Sequence, residues 1–306
     1  MTSPKLSVAS SGLGGRGYRA IFEEDAQVVP SITTALGALD KPGLVDWHVS
    51  QTAAFAVTHV DDLLSRTEEA GMRYLQYFSR RKPKDWDAPE IDVYNAAQYV
   101  LDDAANTGNY IHNYIEDYLT GNFTTDPVRE DHAEMVEAFH AWEAEHDIEV
   151  IATERTVFGQ NYAGTADLFA KIDGVVYCVD HKSSRAVRDS HIGQLGAIGA
   201  AHTAAREVSE GTEGAVYHKI QPKVSAEHGG QVDSWWVPEA LPDFQAYGVL
   251  QVRPLDYTTK GEVIEPFCAL HTIPQAKIEA GFRLFQAGLS ARLAQRELNQ
   301  LEKEAE

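Results

Sequence analysis

Residues 163–184, AGTADLFAKIDGVVYCVDHKSS, predict a β-hairpin around which the rest of the chain is laid out. Two runs of strand-like composition, 166–172 and 175–179, flank Asp173-Gly174, the dipeptide that most strongly signals a two-residue hairpin turn. A simple register brings Asp167, near the start of the first strand, and Asp180, at the end of the second, to the same end of the hairpin. Lys182 lies two residues beyond Asp180, and residues two apart on an extended chain share a face. Two carboxylates and an ammonium therefore converge. Val175, Val176, Tyr177, Cys178 and Val179 form a nearly continuous apolar run, which suits a central strand buried on both faces. Ionisable groups at the end of such a strand are costly unless paired, and a divalent metal pairs with them well.

Upstream, residues 149–158 alternate well enough for a third strand. Glu154 within it is either an accessory site carboxylate or an outward-facing one, and the second reading is favoured. Residues 129–147 predict an acidic helix with a solvated face. Residues 92–121 predict the best-patterned helix, in which Tyr94, Ala97, Leu101, Ala104, Gly108, Ile111, Ile115 and Tyr118 step by three and four. His112 and Glu116 are four apart beside that stripe and share a face. Taken alone they read as a solvated pair. Further back, Pro30-Ser31 predicts a helix start with Ser31 as N-cap, and Lys41-Pro42-Gly43 predicts its break. A helical region follows from about 49 to 79. It ends on Arg73, Tyr74, Tyr77, Phe78, Arg80, Arg81, Lys82, Lys84 and Trp86, a cluster that either tracks a nucleic-acid backbone or is a helix end with core aromatics.

Downstream, Lys182 to Arg188 is locally basic. A helix over about 189–208 carries His191, Gln194 and Ile198 at helical spacing, with Gly193, Gly196 and Gly199 along one side. Glycine costs helix propensity, which predicts close packing of this helix against the sheet. Short strands are expected at 215–220 and 232–237, then strands at 247–252 and 262–270 around a turn at Thr259-Lys260-Gly261. A last helix begins near Pro274.

The chain has 306 residues, enough for one large α/β domain with a helical addition. A formal net charge of −20 argues against a general nucleic-acid-binding surface but not against a local basic channel. No membrane span or signal peptide is indicated, so the expected compartment is the cytoplasm. Two cysteines, Cys178 and Cys268, are too few for a disulfide scaffold or a four-cysteine cluster.

In order, the constellation is His112 and Glu116 on a helix, Asp167 on a strand, Asp180-His181-Lys182 ending the next strand, and Gln194 on the following helix. This set resembles the PD-(D/E)xK nuclease superfamily, and within it the RecB-like and phage-type exonucleases. The signature stands as Gly164-Thr165-Ala166-Asp167 followed by Asp180-His181-Lys182, with Gly108, His112 and Glu116 matching the upstream helix pattern. Pro30-Ser31-Ile32-Thr33 and Lys41 to Trp47 look like the opening segment of the phage members. Ile198 stands where RecB-like members carry a tyrosine after the glutamine.

The resemblance implies an α/β, restriction-endonuclease-like core with a central mixed β-sheet flanked by helices, plus an N-terminal helical region. The domain plan is then a flexible N-terminus at 1–17, a helical region at 18–90, the nuclease core at 91–301 with an insertion at about 209–243, and a frayed tail at 302–306. It implies a metal-dependent DNA exonuclease of phage or bacterial recombination or processing, in the host cytoplasm if phage-encoded. The alternative is a catalytically inactive DNA-binding or protein-interaction module. The expected cofactor is Mg²⁺ or Mn²⁺, without an iron–sulfur cluster, and the expected partners are DNA and a recombination protein, without a membrane. Asp167 and Asp180 are the expected metal ligands, with the backbone carbonyl of His181 and the side chain of His112 completing the shell. Glu116 would bind a second metal or orient a water, and Lys182 would position the attacking water or stabilise transition-state charge. Gln194, Ser183, Ser184, Arg185, Arg188, Arg80, Arg81 and Lys82 are the candidate DNA contacts.

Overall fold

Asp173 and Gly174 both take positive φ, 49° and 86°, and turn the chain between β5 (Tyr162–Ile172) and β6 (Val175–Lys182). Such a turn matches the twist of the two strands. A computed structural model describes residues 7–10, 15–19, 28–39, 41–70, 92–93, 95–122, 126–127, 129–209, 217–220, 235–238, 243–258 and 260–304. The basic aromatic cluster at 73–86, with Arg80, Arg81 and Lys82, lies outside the described residues.

The chain divides into two compact units, Asp40–Asn109 and the remainder, Met1–Leu39 with Tyr110–Glu306. The segment before residue 40 belongs with the unit that holds the sheet. The smaller unit contains α2 (Pro42–Thr58) and α3 (Val60–Ala70). Pro42, expected to break a helix, opens one instead, because its missing N–H falls where no intrahelical partner exists.

The larger unit is built on a mixed sheet of order β12-β9-β6-β5-β4-β7-β8. Its central five strands are β4 (Ile148–Gly159), β5, β6, β9 (Ala246–Arg253) and β12 (Phe267–Ile273), with β7 (Tyr217–Ile220) and β8 (Trp235–Pro238) extending one side. β4, β5 and β6 form an antiparallel meander, whereas β6 and β9 are parallel, from Tyr177↔Ala246 to Lys182↔Gln251. Parallel neighbours need a crossover, and α6 (Asp189–Ser209) lies on that connection. The strand expected at 262–270 is split. Between β9 and β12 the chain makes a small excursion, the pair β10 (Asp256–Tyr257) and β11 (Val263–Ile264), with Gly261 at φ 80° in its turn.

Helices cover both faces, in agreement with the expected central mixed sheet flanked by helices. On one side, Ile32 and Leu36 of α1 (Ile32–Leu36), Leu195 and Ile198 of α6, and Ile278 and Phe285 of α7 (Gln275–Glu304) pack on Phe169, Cys178 and Val249. On the other, Ile111 and Ile115 of α4 (Ala96–Leu119) join Met135, Phe139 and Trp142 of α5 (Glu130–Glu143) on Leu168, Val179 and Leu250. Burying each such side chain contributes roughly 1.5–3 kcal/mol. Ser31 caps α1 as expected, its hydroxyl accepting from the Thr34 N–H at 3.0 Å. Within the stretch 1–17, read from the sequence as a flexible N-terminus, the described residues 7–10 and 15–17 are strand. Residues 7–10 form β1 (Ser7–Ser10), which pairs with β2 (Gly15–Arg19), and β2 pairs with β3 (Val28–Pro30).

The glycines of α6 serve a different partner from the one expected. A Cβ on Gly196 would lie 2.8 Å from the Ile278 carbonyl and 2.9 Å from the Phe282 nitrogen, both in α7; only at Gly199 is the sheet the neighbour, through Tyr247 of β9. Among the described residues, no helix is long and apolar enough to cross a membrane.

Two outcomes follow from these contacts. Gly196→Ala should destabilise the fold by about 1–3 kcal/mol despite its better helix propensity, because backbone atoms cannot yield to the added methyl; an unchanged urea midpoint would contradict the contact. The Asp173 carboxylate accepts from the Asp147 N–H at 3.0 Å and from His146 Nδ1 at 2.7 Å. These bonds hold its pKa below the ordinary carboxylate value. Their stabilisation is present above the unfolded value, about pH 4, and is lost as pH falls through the lowered folded value. Asp173→Asn tolerates the same turn, so its urea midpoint should fall at neutral pH and approach wild type as pH falls through the lowered folded value.

Candidate metal centre

The site forms where the hairpin strands part. The last register pair of β5 and β6 is Leu168↔Val179, which puts Asp167 opposite Asp180 one step further on. Beyond that pair the His181 N–H donates to the Asp167 carboxylate, Oδ2, at 2.8 Å. On the other side of β5, Glu154 of β4 falls opposite Asp167, between Thr153↔Leu168 and Arg155↔Ala166. Three carboxylates thus stand in one row across three strands.

Glu154 is not outward-facing as expected. Its φ is 48°, a left-handed conformation inside a strand, and its Oε1 lies 3.3 Å from His112 Nε2. The same nitrogen is 3.4 Å from Asp167 Oδ1. Among the described residues, two groups have metal-ligand donors within 4.8 Å of one another: His112, Asp167 and His181, and His112, Glu116 and Glu154. The ring of His112 is common to both. Its neighbour Glu116 follows one turn later on α4, the spacing expected for a shared helix face.

Strand alternation divides the remaining groups. Asp180 and Lys182 point to the same face as Cys178, toward α6, while His181 follows Val179 toward α4. Lys182 Nζ is 2.7 Å from each oxygen of Asp180, which is 1 % exposed. Asp180, expected to share a metal with Asp167, is in neither donor group and is held by the lysine. The His181 ring stands 5.3 Å from that of His112, centroid to centroid, with planes at 64°.

Burial and charge push these groups apart in acidity. For Asp167 burial opposes ionisation, yet the His112 contact and the charge of Lys182 hold its carboxyl well below the usual range. For Asp180 burial wins, reinforced by the neighbouring Asp167 charge, and its pKa is raised despite Lys182. Burial opposes the charge of His112, but Asp167, Glu154 and Glu116 push it up to about 9. Burial lowers His181 to about 3. Lys182 is raised, because Asp180 and Asp167 outweigh its desolvation. The arrangement can hold a hard or borderline divalent cation through mixed imidazole and carboxylate donors, with a fixed ammonium one step away.

The expected DNA contacts fall in varied settings. Gln194 is half-buried on α6. The carbonyls of Ser183 and Ser184 accept from Arg253 and Gln251 of β9, so β9 anchors the loop after Lys182. Arg185 is 68 % exposed at its side chain and pairs with Asp256, which Arg253 also contacts. Arg188 is exposed at the start of α6. Neighbouring His191 is buried and lowered to about 3 by desolvation and by the charges of Lys182 and Arg188. Comparison with models of protein families and with curated proteins finds no match to this chain.

The Asp180 and Lys182 pair is testable as a unit. Lys182→Met should cost about 3–5 kcal/mol in urea unfolding, because it leaves a buried carboxylate without its cation. Adding Asp180→Asn should cost less than the sum of the two single changes, with a coupling of about 0.5–3 kcal/mol; additive losses would show that the two side chains act separately.

Proposed function

We propose that this chain is a metal-dependent nuclease that hydrolyses DNA phosphodiester bonds, acts as an exonuclease in DNA processing or recombination, and carries a restriction-endonuclease-like core. The observation that carries the reading is the convergence at one parted strand end. Asp167 and Asp180 face each other there, Lys182 follows on the same strand, and His112 reaches Asp167 from α4. The chain order supports the reading, with α4 and α5 before the antiparallel strands β4, β5 and β6 and α6 after them.

Hydrolysis adds the oxygen of water to phosphorus, breaks one ester P–O bond and leaves a proton on the departing oxygen. A divalent cation, Mg²⁺ or Mn²⁺, supplies activation of the nucleophile and neutralises charge on the phosphate. His112 and Asp167 are the side chains placed to hold that cation, with Glu116 and Glu154 beside them. Glu116 orients the attacking water. Lys182 keeps its proton, since Asp180 and Asp167 raise its pKa. An ammonium has three donors, and Asp180 Oδ1 accepts one of them, so it can also present a donor to the oxygen on which charge develops. Asp180 is thereby a positioning residue for Lys182. Gln194, Arg185 and Arg188, with the Ser183 and Ser184 loop that follows Lys182 in the chain, are the residues we assign to the phosphate backbone.

End-labelled linear duplex DNA incubated with Mg²⁺ or Mn²⁺ should be shortened from its ends. EDTA should stop the reaction, and closed circular DNA should survive. Asp167→Ala and Lys182→Ala should each lower the rate by about 10²-fold or more. Absence of metal-dependent degradation, or full activity of Lys182→Ala, would overturn the nuclease reading; cleavage of circular DNA would overturn the exonuclease part alone.

A further inference from the structure

We propose that the imidazole ring of His181 is itself a metal ligand, so that the centre binds its ion through two imidazoles and Asp167 and selects Mn²⁺ over Mg²⁺. This deepens the metal-site reading above and rests on His112 and Asp167 holding an ion there.

The first observation is an uncompensated cost. His181 is 7 % exposed, and neither of its ring nitrogens has a hydrogen-bond partner among the described residues. Buried polar groups are bonded in nearly all native structures, and leaving one bare is destabilising. The strand neighbour on the same face is Val179, in an apolar cluster. An aliphatic residue at 181 would continue that cluster without any such cost.

The second observation is direction. Asp180 and Lys182 turn toward α6, so the residue between them must turn toward α4, where His112 projects. The His181 ring there has a donor nitrogen within 4.8 Å of donors on both His112 and Asp167. Ligands of one ion with bonds of about 2.1 Å lie up to about 4.2 Å apart, so small side-chain rotations close the set. Asp180 is held by Lys182 at 2.7 Å, and the ring of His181, not Asp180, completes the donor group with His112 and Asp167. The cation follows from the donors. Mg²⁺ demands oxygen ligands and retains water, whereas first-row transition ions accept imidazole nitrogen readily. One imidazole tolerates either ion; two favour Mn²⁺.

The test uses the full chain and Mn²⁺ as probe. Electron paramagnetic resonance titration should show Mn²⁺ binding at least about tenfold tighter than Mg²⁺ measured by competition. Spin-echo modulation of the bound Mn²⁺ should report two imidazole nitrogens in the wild-type protein. His181→Gln should weaken Mn²⁺ binding by about tenfold or more, shift Mg²⁺ binding little, and leave one nitrogen coupling. A single coupling in wild type, or wild-type Mn²⁺ affinity in a folded His181→Gln, overturns the proposal. Should His181→Gln fail to fold by circular dichroism, the nitrogen count in wild type decides. DNA cleavage measured in parallel separates the two readings. Metal-dependent cleavage with one coupling removes the His181 ligand and keeps the nuclease, whereas two couplings without cleavage keep the ligand and remove the nuclease.

Discussion

The hydrogen bond from the His181 N–H to the Asp167 carboxylate marks where the hairpin stops being a sheet and starts being a site. A β-ladder satisfies its own backbone, and strands can part in a protein interior only if something else accepts the freed donors. Asp167 does this with one oxygen and turns the other toward His112. The same carboxylate thus ends a strand pair and orients the group that faces it. Everything nearby depends on that double use. Asp180 stays opposite Asp167, and Lys182 stays over Asp180. His181 is fixed with its ring on the far side.

Unlike acidities at adjacent carboxylates follow from the same arrangement. Asp167 has cationic neighbours on both sides of the sheet and remains ionised. Asp180 is more deeply buried and feels the charge of Asp167, so its ionised form depends on the lysine. Pairs of groups driven apart in this way are typical of sites that divide roles between chemically similar residues. Here the division is between a carboxylate exposed to donors on α4 and one committed to a cation on the α6 side.

Much of this was legible in the chain because it depends on short-range rules. Asp173-Gly174 encodes its turn through two positive φ angles, which places Asp167 and Asp180 at one end without any knowledge of the rest. His112 and Glu116 share a helix face by spacing alone. Glu154 was not legible, because whether a strand glutamate faces inward is decided by one backbone angle, and no residue type announces a left-handed glutamate. The glycines of α6 announced close approach but not its partner, since a bare helix edge is equally suited to a sheet or to a second helix; α7 takes most of it. The first strands were hidden because Ser- and Gly-rich sequence serves edge strands and linkers alike. The ring of His181 was hidden for a different reason. Its side-chain direction follows from strand alternation, but the absence of a hydrogen-bond partner for its nitrogens among the described residues is a property of three elements together.

The end of β6 works as a partition. Substitutions on α4 reach the donors around His112 and His181, while substitutions on α6 reach the surroundings of Lys182, and a single strand thickness separates the two. Drift on one helix therefore leaves the side chains of the opposite face in place, and only Asp167, which feels both His112 and Lys182, carries charge from one to the other. A scaffold wired in this manner can vary the imidazole and carboxylate donors of one face and the ammonium of the other as two separate evolutionary traits, one face at a time.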